Sequence, residues 1–181
     1  MGGLVVKQAL ATAARGTSES DLAILRSCVG IFLFGVPNRG LNTENLETLV
    51  KGQRNETLVR NLSERSPLLC EMHHAFQQSF PYKDCSIVLF YETKDTKTVE
   101  VQPTGRWTRT GPFVRLVTRD SATSFSPAEA LHDQIPIDTD HSNLIKFAGR
   151  DDRHYDVVRV KLSAVIKMAP DILRMRGVTR M

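Results

Sequence analysis

Two continuous apolar runs stand out along the chain. Val29-Gly30-Ile31-Phe32-Leu33-Phe34 ends at Gly35 and Pro37, and Ser86-Ile87-Val88-Leu89-Phe90-Tyr91 repeats the pattern further on. Runs of this length without polar alternation belong to strands covered on both faces, as in a parallel sheet. A third run, Phe113 to Thr118, is rich in β-branched residues and alternates with Arg115, which predicts a strand nearer the sheet edge.

Between and around these runs the periodicity is helical. From Gly2 to Ala14, apolar positions fall at Val6, Ala9, Leu10, Ala13 and Ala14, leaving Lys7, Gln8 and Arg15 for the wet face and Gly16 as a C-cap. A second helix is predicted from Glu19 to Arg26, capped by Ser18 and contributing Leu22, Ile24 and Leu25. Thr43 to Lys51, Glu56 to Ser63 and Pro67 to Gln78 are also helical in pattern, and this stretch is too long for a simple crossover and long enough to cover an active site. A last helix, Arg153 to Met168, precedes a basic tail, Arg174-Met175-Arg176-Gly177, expected to fray. Strands separated by helices predict an α/β class with about three parallel strands, over residues 1–168, with 169–181 as the tail. Ligands in such sheets gather at the C-terminal ends of the strands, so functional residues are expected after Phe34, Tyr91 and Thr118.

Composition narrows the function classes. A chain of 181 residues is the size of one domain, and 41% apolar with 24% charged residues is the balance of a chain that folds. The net charge of +4 is scattered among acidic residues, which argues against a nucleic-acid surface. The one basic and aromatic cluster, Arg106-Trp107-Thr108-Arg109 with Arg115 and Arg119, is expected to be a solvated hairpin or loop. Cys28, Cys70 and Cys85 lack metal-ligand spacing and suit a reducing, intracellular compartment. Cys28 and Cys85 adjoin the apolar runs and are expected in the core, whereas Cys70 with His73 and His74 falls short of a zinc set. Neither a metal nor a cofactor is expected. No run reaches the roughly 18 apolar residues of a membrane span, and no signal peptide is visible, so membrane association would come only through segments upstream.

The opening Met1-Gly2-Gly3-Leu4-Val5-Val6 matches the second half of a Gly-His-Ser-Met-Gly-Gly nucleophile elbow, a strained strand-to-helix turn whose glycines let the helix approach its neighbours. Ile31 to Gly40 matches a strand ending in Gly-Thr-Pro-His-Arg-Gly, with Asn38 where that pattern has His. Phe90-Tyr91-Glu92-Thr93 and the segment from Ile137 to Phe147 complete an ordered set spanning residues 1–147. Together these segments resemble the serine active site containing protein family and its fungal relatives, α/β-hydrolases similar to lipases and to enzymes that deacylate glycosylphosphatidylinositol anchors. The resemblance implies the C-terminal part of an α/β-hydrolase fold, starting one residue after the nucleophilic serine. It implies a serine esterase acting on a lipid or other ester, at the mitochondrion or endoplasmic reticulum, and a chain that is inactive as written. The alternative is a non-catalytic recognition or signalling module, as in fungal fusions with nucleotide-binding and repeat domains.

Within that resemblance His141 is the general base, on a loop after the third strand and in the order Ser, acid, His. Glu92 is the acid and Asp95 the rival; without the triad, both are a solvated pair for Lys94 or Lys97. His141 would otherwise be a surface histidine near a helix start capped by Asp140. The backbone N–H of Met1 corresponds to an oxyanion donor, with Gly2 and Gly3 completing the elbow. His73, His74, His132 and His154 are expected to be surface or packing residues. Val29 to Phe34, lacking a neighbour on one edge, predicts poor solubility of the chain alone.

Overall fold

The computed structural model describes every residue except Arg65, Tyr82, 126–132 and 179–181, and all side chains of the described residues except those of Asn45, Thr48 and Leu49. Helices α1 (Gly2–Arg15) and α2 (Glu19–Ser27) precede strand β1 (Gly30–Phe34), and α3 (Glu44–Val50), α4 (Glu56–Asn61) and α5 (Pro67–Ser79) lead to β2 (Ser86–Glu92). An excursion of short strands follows: β3 (Thr96–Lys97), β4 (Glu100–Val101), β5 (Trp107–Thr108) and β6 (Phe113–Val114). Then come α6 (Arg119–Thr123), β7 (Gln134–Ile137) and the long α7 (Arg153–Met175).

The main sheet is parallel, in the order β1-β2-β7. Its third strand is therefore Gln134–Ile137, and the expected strand from Phe113 to Thr118 does not join it. Only Phe113 and Val114 pair there, antiparallel to β3. The rest of that run uses its backbone elsewhere: the Leu116 carbonyl accepts from Asn42 N, and Val117 N donates to the Glu92 side chain. Trp107 and Thr108 lie on the expected hairpin, β4 against β5, with Trp107 exposed, whereas Arg115 bonds the turn after β2 and Arg119 opens α6.

Side chains alternate across the sheet, so each strand feeds two layers. Ile31, Leu33 and Leu89 pack against Leu4, Leu10 and Ala11 of α1, Leu25 of α2 and Leu69 and Phe76 of α5. On the other face, Val88, Phe90 and Ile137 meet Leu144, Phe32, Phe34, and Val157 and Val158 of α7. The Phe34 and Phe90 rings stack at 4.3 Å between centroids. Helix α7 crosses so closely over β1 that a Cβ on Gly30 would lie 2.8 Å from Val165 Cγ1.

Three details depart from the sequence reading. Lys7 is not on the wet face of α1 but 1% exposed, in a buried stripe with Leu4, Leu10, Ala11 and Ala13, while Val6 is exposed. The elbow glycines are not equivalent: a Cβ on Gly3 would lie 2.2 Å from Val36 Cγ2, whereas one on Gly2 would meet open space. The basic tail is not frayed at its start, because α7 runs through Pro170 to Met175, with Ile172 buried. Arg176 then pairs with Asp84 through Nε at 3.2 Å and donates from Nη1 to the carbonyls of Arg26 and Cys28.

Among the described residues, the outer edge of β1 has no strand partner. An open, largely apolar groove of about 610 Å³ runs along it, lined by Met1, Gly3, Val6, Ile24, Phe32 and Val36 among others.

Candidate active site

The C-terminal ends of the three parallel strands converge on one pair of side chains. Glu92 is the last residue of β2 and fully buried. His141 follows β7 by a short loop and opens a 3-10 turn, His141–Asn143, whose N-cap Asp140 accepts from Asn143 N at 3.1 Å. The His141 Nδ1 atom lies 2.7 Å from Glu92 Oε2. An ionised carboxylate only accepts, so the shared proton belongs on Nδ1 and the Nε2 lone pair is left open. Among the described residues, the His141 ring makes no other hydrogen bond.

Each partner is held in turn. Glu92 Oε1 accepts from the buried Val117 N–H at 3.0 Å, which fixes the carboxylate plane. Arg115 spans the same turn, donating from Nη1 to Glu92 O at 2.8 Å, from Nη2 to Thr93 O at 2.7 Å and from Nε to Asp95 Oδ1 at 2.9 Å. Asp95 is thus engaged by Arg115 on the surface, and His141 is paired with Glu92. Backbone N of His141 donates to the buried Thr96 Oγ1 at 3.0 Å.

The end of β1 supplies the floor. Gly35 has φ +54°, and a Cβ there would lie 3.0 Å from both Nδ1 and Cε1 of His141 and 2.6 Å from Leu144 Cδ1. Positive φ and lack of room both demand glycine at this point. The loop beyond it is pinned by α6, since Ser121 Oγ bridges Arg39 N and Gly40 O. Asn38 is 2% exposed and bonded on both sides: its Nδ2 donates to Ala122 O at 3.1 Å and its Oδ1 accepts from Lys7 Nζ at 3.0 Å. Lys7 Nζ also lies 3.3 Å from His73 Nδ1. Burial, and secondarily the Lys7 charge, pull the His73 pKa down from 6.5 to about 4, so this imidazole is neutral at pH 7.

The start of α1 lies at the same end of the sheet. Gly3 sits against Leu33 and Val36, and Met1 lines the β1-edge groove beside Phe34. His154 packs as a structural residue, its Nε2 accepting from Asp138 N at 3.3 Å. His74 and Cys70 are exposed, and His132 lies outside the described residues. Arg115, Gly35 and Thr96 carry no role in the sequence reading. Only Gly35, directly after an apolar run, had a signal that could have marked it. Comparison with protein-family models, with curated proteins and with solved structures returns no match.

Proposed function

We propose that this chain carries the acid–base half of a serine ester hydrolase site, built on the C-terminal part of an α/β-hydrolase fold, with His141 as general base and Glu92 as its orienting acid. The observation that supports it is the 2.7 Å contact between His141 Nδ1 and the buried Glu92 carboxylate at the C-terminal ends of parallel strands. In this reading His141 Nε2 takes the proton from a serine hydroxyl as its oxygen attacks an ester carbonyl. The imidazolium then returns that proton to the leaving alcohol, and Glu92 stabilises the cation in between. The nucleophile in this reading is the serine of the Gly-His-Ser-Met-Gly-Gly elbow pattern, whose second half Met1-Gly2-Gly3 resembles, and the substrate is a lipid or other ester.

A fluorophosphonate probe that forms a covalent bond to activated serines tests this. The 181-residue chain should remain unlabelled. A chain extended upstream through Gly-His-Ser should be labelled, and His141→Ala should lower its labelling rate by roughly 10⁴-fold or more. Stoichiometric labelling of an internal serine in the unextended chain would overturn the assignment. Failure of a folded, extended chain to react would move the pair from catalysis to a recognition role.

A further inference from the structure

At the opposite end of the sheet from His141, two thiols face each other. Cys28 caps the end of α2 two residues before β1, and Cys85 immediately precedes β2. Their Sγ atoms lie 4.0 Å apart. The two strands are already joined at this level by a hydrogen bond from Ser86 N to Val29 O at 3.0 Å, so the backbone beneath the thiols is held in register. The Arg176 guanidinium sits against the pair, donating from Nη1 to Cys28 O at 2.8 Å. Cys85 is buried, whereas Cys28 is half-buried and lines the groove along the β1 edge, through which a small solute can reach it.

We propose that Cys28 and Cys85 form a redox-active dithiol that a small disulfide, oxidised glutathione being the simplest, converts into an intramolecular disulfide. The division of labour follows from the surroundings. A hydrogen bond from Cys85 lowers the pKa of the Cys28 thiol, the Arg176 charge adds to this, and burial opposes it. The same contact and burial raise the pKa of Cys85. Cys28 is therefore the attacking thiolate and Cys85 the resolving thiol. In the first step Cys28 Sγ bonds to one sulfur of the oxidised glutathione, the S–S bond breaks, and a glutathione thiolate leaves. In the second, Cys85 Sγ attacks Cys28 Sγ, the second glutathione leaves as thiolate, and the Cys85 proton goes to a departing thiolate. Two protein thiols are oxidised by two electrons and one disulfide is reduced to two thiols. A disulfide needs its sulfurs about 2 Å apart, so the gap closes by side-chain rotation together with a small backbone adjustment.

The test uses the full 181-residue chain with the exposed Cys70 as internal control. Folded protein is equilibrated with oxidised and reduced glutathione at graded ratios, quenched by alkylation and mapped by mass spectrometry. Cys28 and Cys85 should lose reactivity together, with a linked peptide pair lighter by about 2 Da than the two thiol peptides. Cys85→Ser should hold glutathione on Cys28, and Cys28→Ser should leave Cys85 unmodified. If both thiols remain alkylatable in the folded chain under excess oxidised glutathione, or if Cys28 links to Cys70 or to another molecule, the assignment is wrong.

Discussion

Lys7 Nζ donates to Asn38 Oδ1 at 3.0 Å in the interior, tying α1 to the loop that follows β1. Asn38→Leu removes that acceptor from a buried ammonium and also the donor to Ala122 O. A cost of about 2 to 4 kcal/mol is expected, read as a lower midpoint in urea unfolding. The double variant Lys7→Met with Asn38→Leu should recover part of the loss, because replacing both members of a buried pair leaves no buried ammonium with one acceptor fewer.

Glu92→Gln keeps the side-chain shape but reverses one hydrogen bond. Its amide oxygen can still accept from Val117 N, which leaves the NH₂ group facing His141 Nδ1. Nδ1 must then accept, so the imidazole proton should move to Nε2. Ring ¹⁵N chemical shifts report the tautomer directly, and an unchanged spectrum would mean that Glu92 does not set it. In an extended, active chain the same variant should lower turnover by about 10⁴-fold, the cost of a wrong tautomer.

Gly35→Ala puts a methyl group where Leu144 Cδ1 and the His141 ring already stand, at a φ of +54°. Strain and displacement together should cost about 1 to 3 kcal/mol. The His141 resonances should shift as well, whereas Gly52→Ala, at φ +76° with open space around it, should lower the melting temperature without moving them.

Between pH 6.5 and about 4, stability should fall through His73. Its folded pKa is lowered by burial and by Lys7, so the unfolded chain binds the proton first as pH drops. The contribution is fully present above the upper value, declines through the window and is flat below it. With the imidazole only partly buried, solvent screening reduces the effect to about 1 kcal/mol. Chemical denaturation at several pH values should show this slope, and His73→Gln should flatten it.

What the sequence revealed of this fold follows from how each element is stabilised. Strands β1 and β2 are covered on both faces, so their apolar runs were legible without knowledge of their neighbours. Strand β7 is short, polar at Gln134, and contains Pro136, which is tolerated because among the described residues the strand lies at the sheet edge, where a missing N–H breaks no ladder. The β-branched run at 113–118 looked more like a strand than the true one, but its N–H and C=O groups serve Glu92 and Asn42 instead. A charged residue ordinarily marks a wet face, yet Lys7 is buried. Its spacing, three after Leu4 and four before Ala11, lay within the apolar stripe. Motif order pointed to His141 and Glu92, which the fold brings to 2.7 Å, whereas the supports from Arg115 and Thr96 come from loops whose paths no periodicity encodes.

The Arg176 clamp also has a bearing on how the chain reaches its native state. It joins residues 150 positions apart, from Arg26 to Arg176, and fastens the N-terminal layer to the end of α7. During synthesis the strands β1 and β2 emerge long before this fastening can close. They must wait with one sheet face uncovered until α7 has been made, exposing Phe32, Phe34, Val88 and Phe90 in the interval. Contacts this distant in sequence also slow the search for the folded state. That apolar face is thus open to other chains from the emergence of β2 until Leu144, Val157 and Val158 have followed.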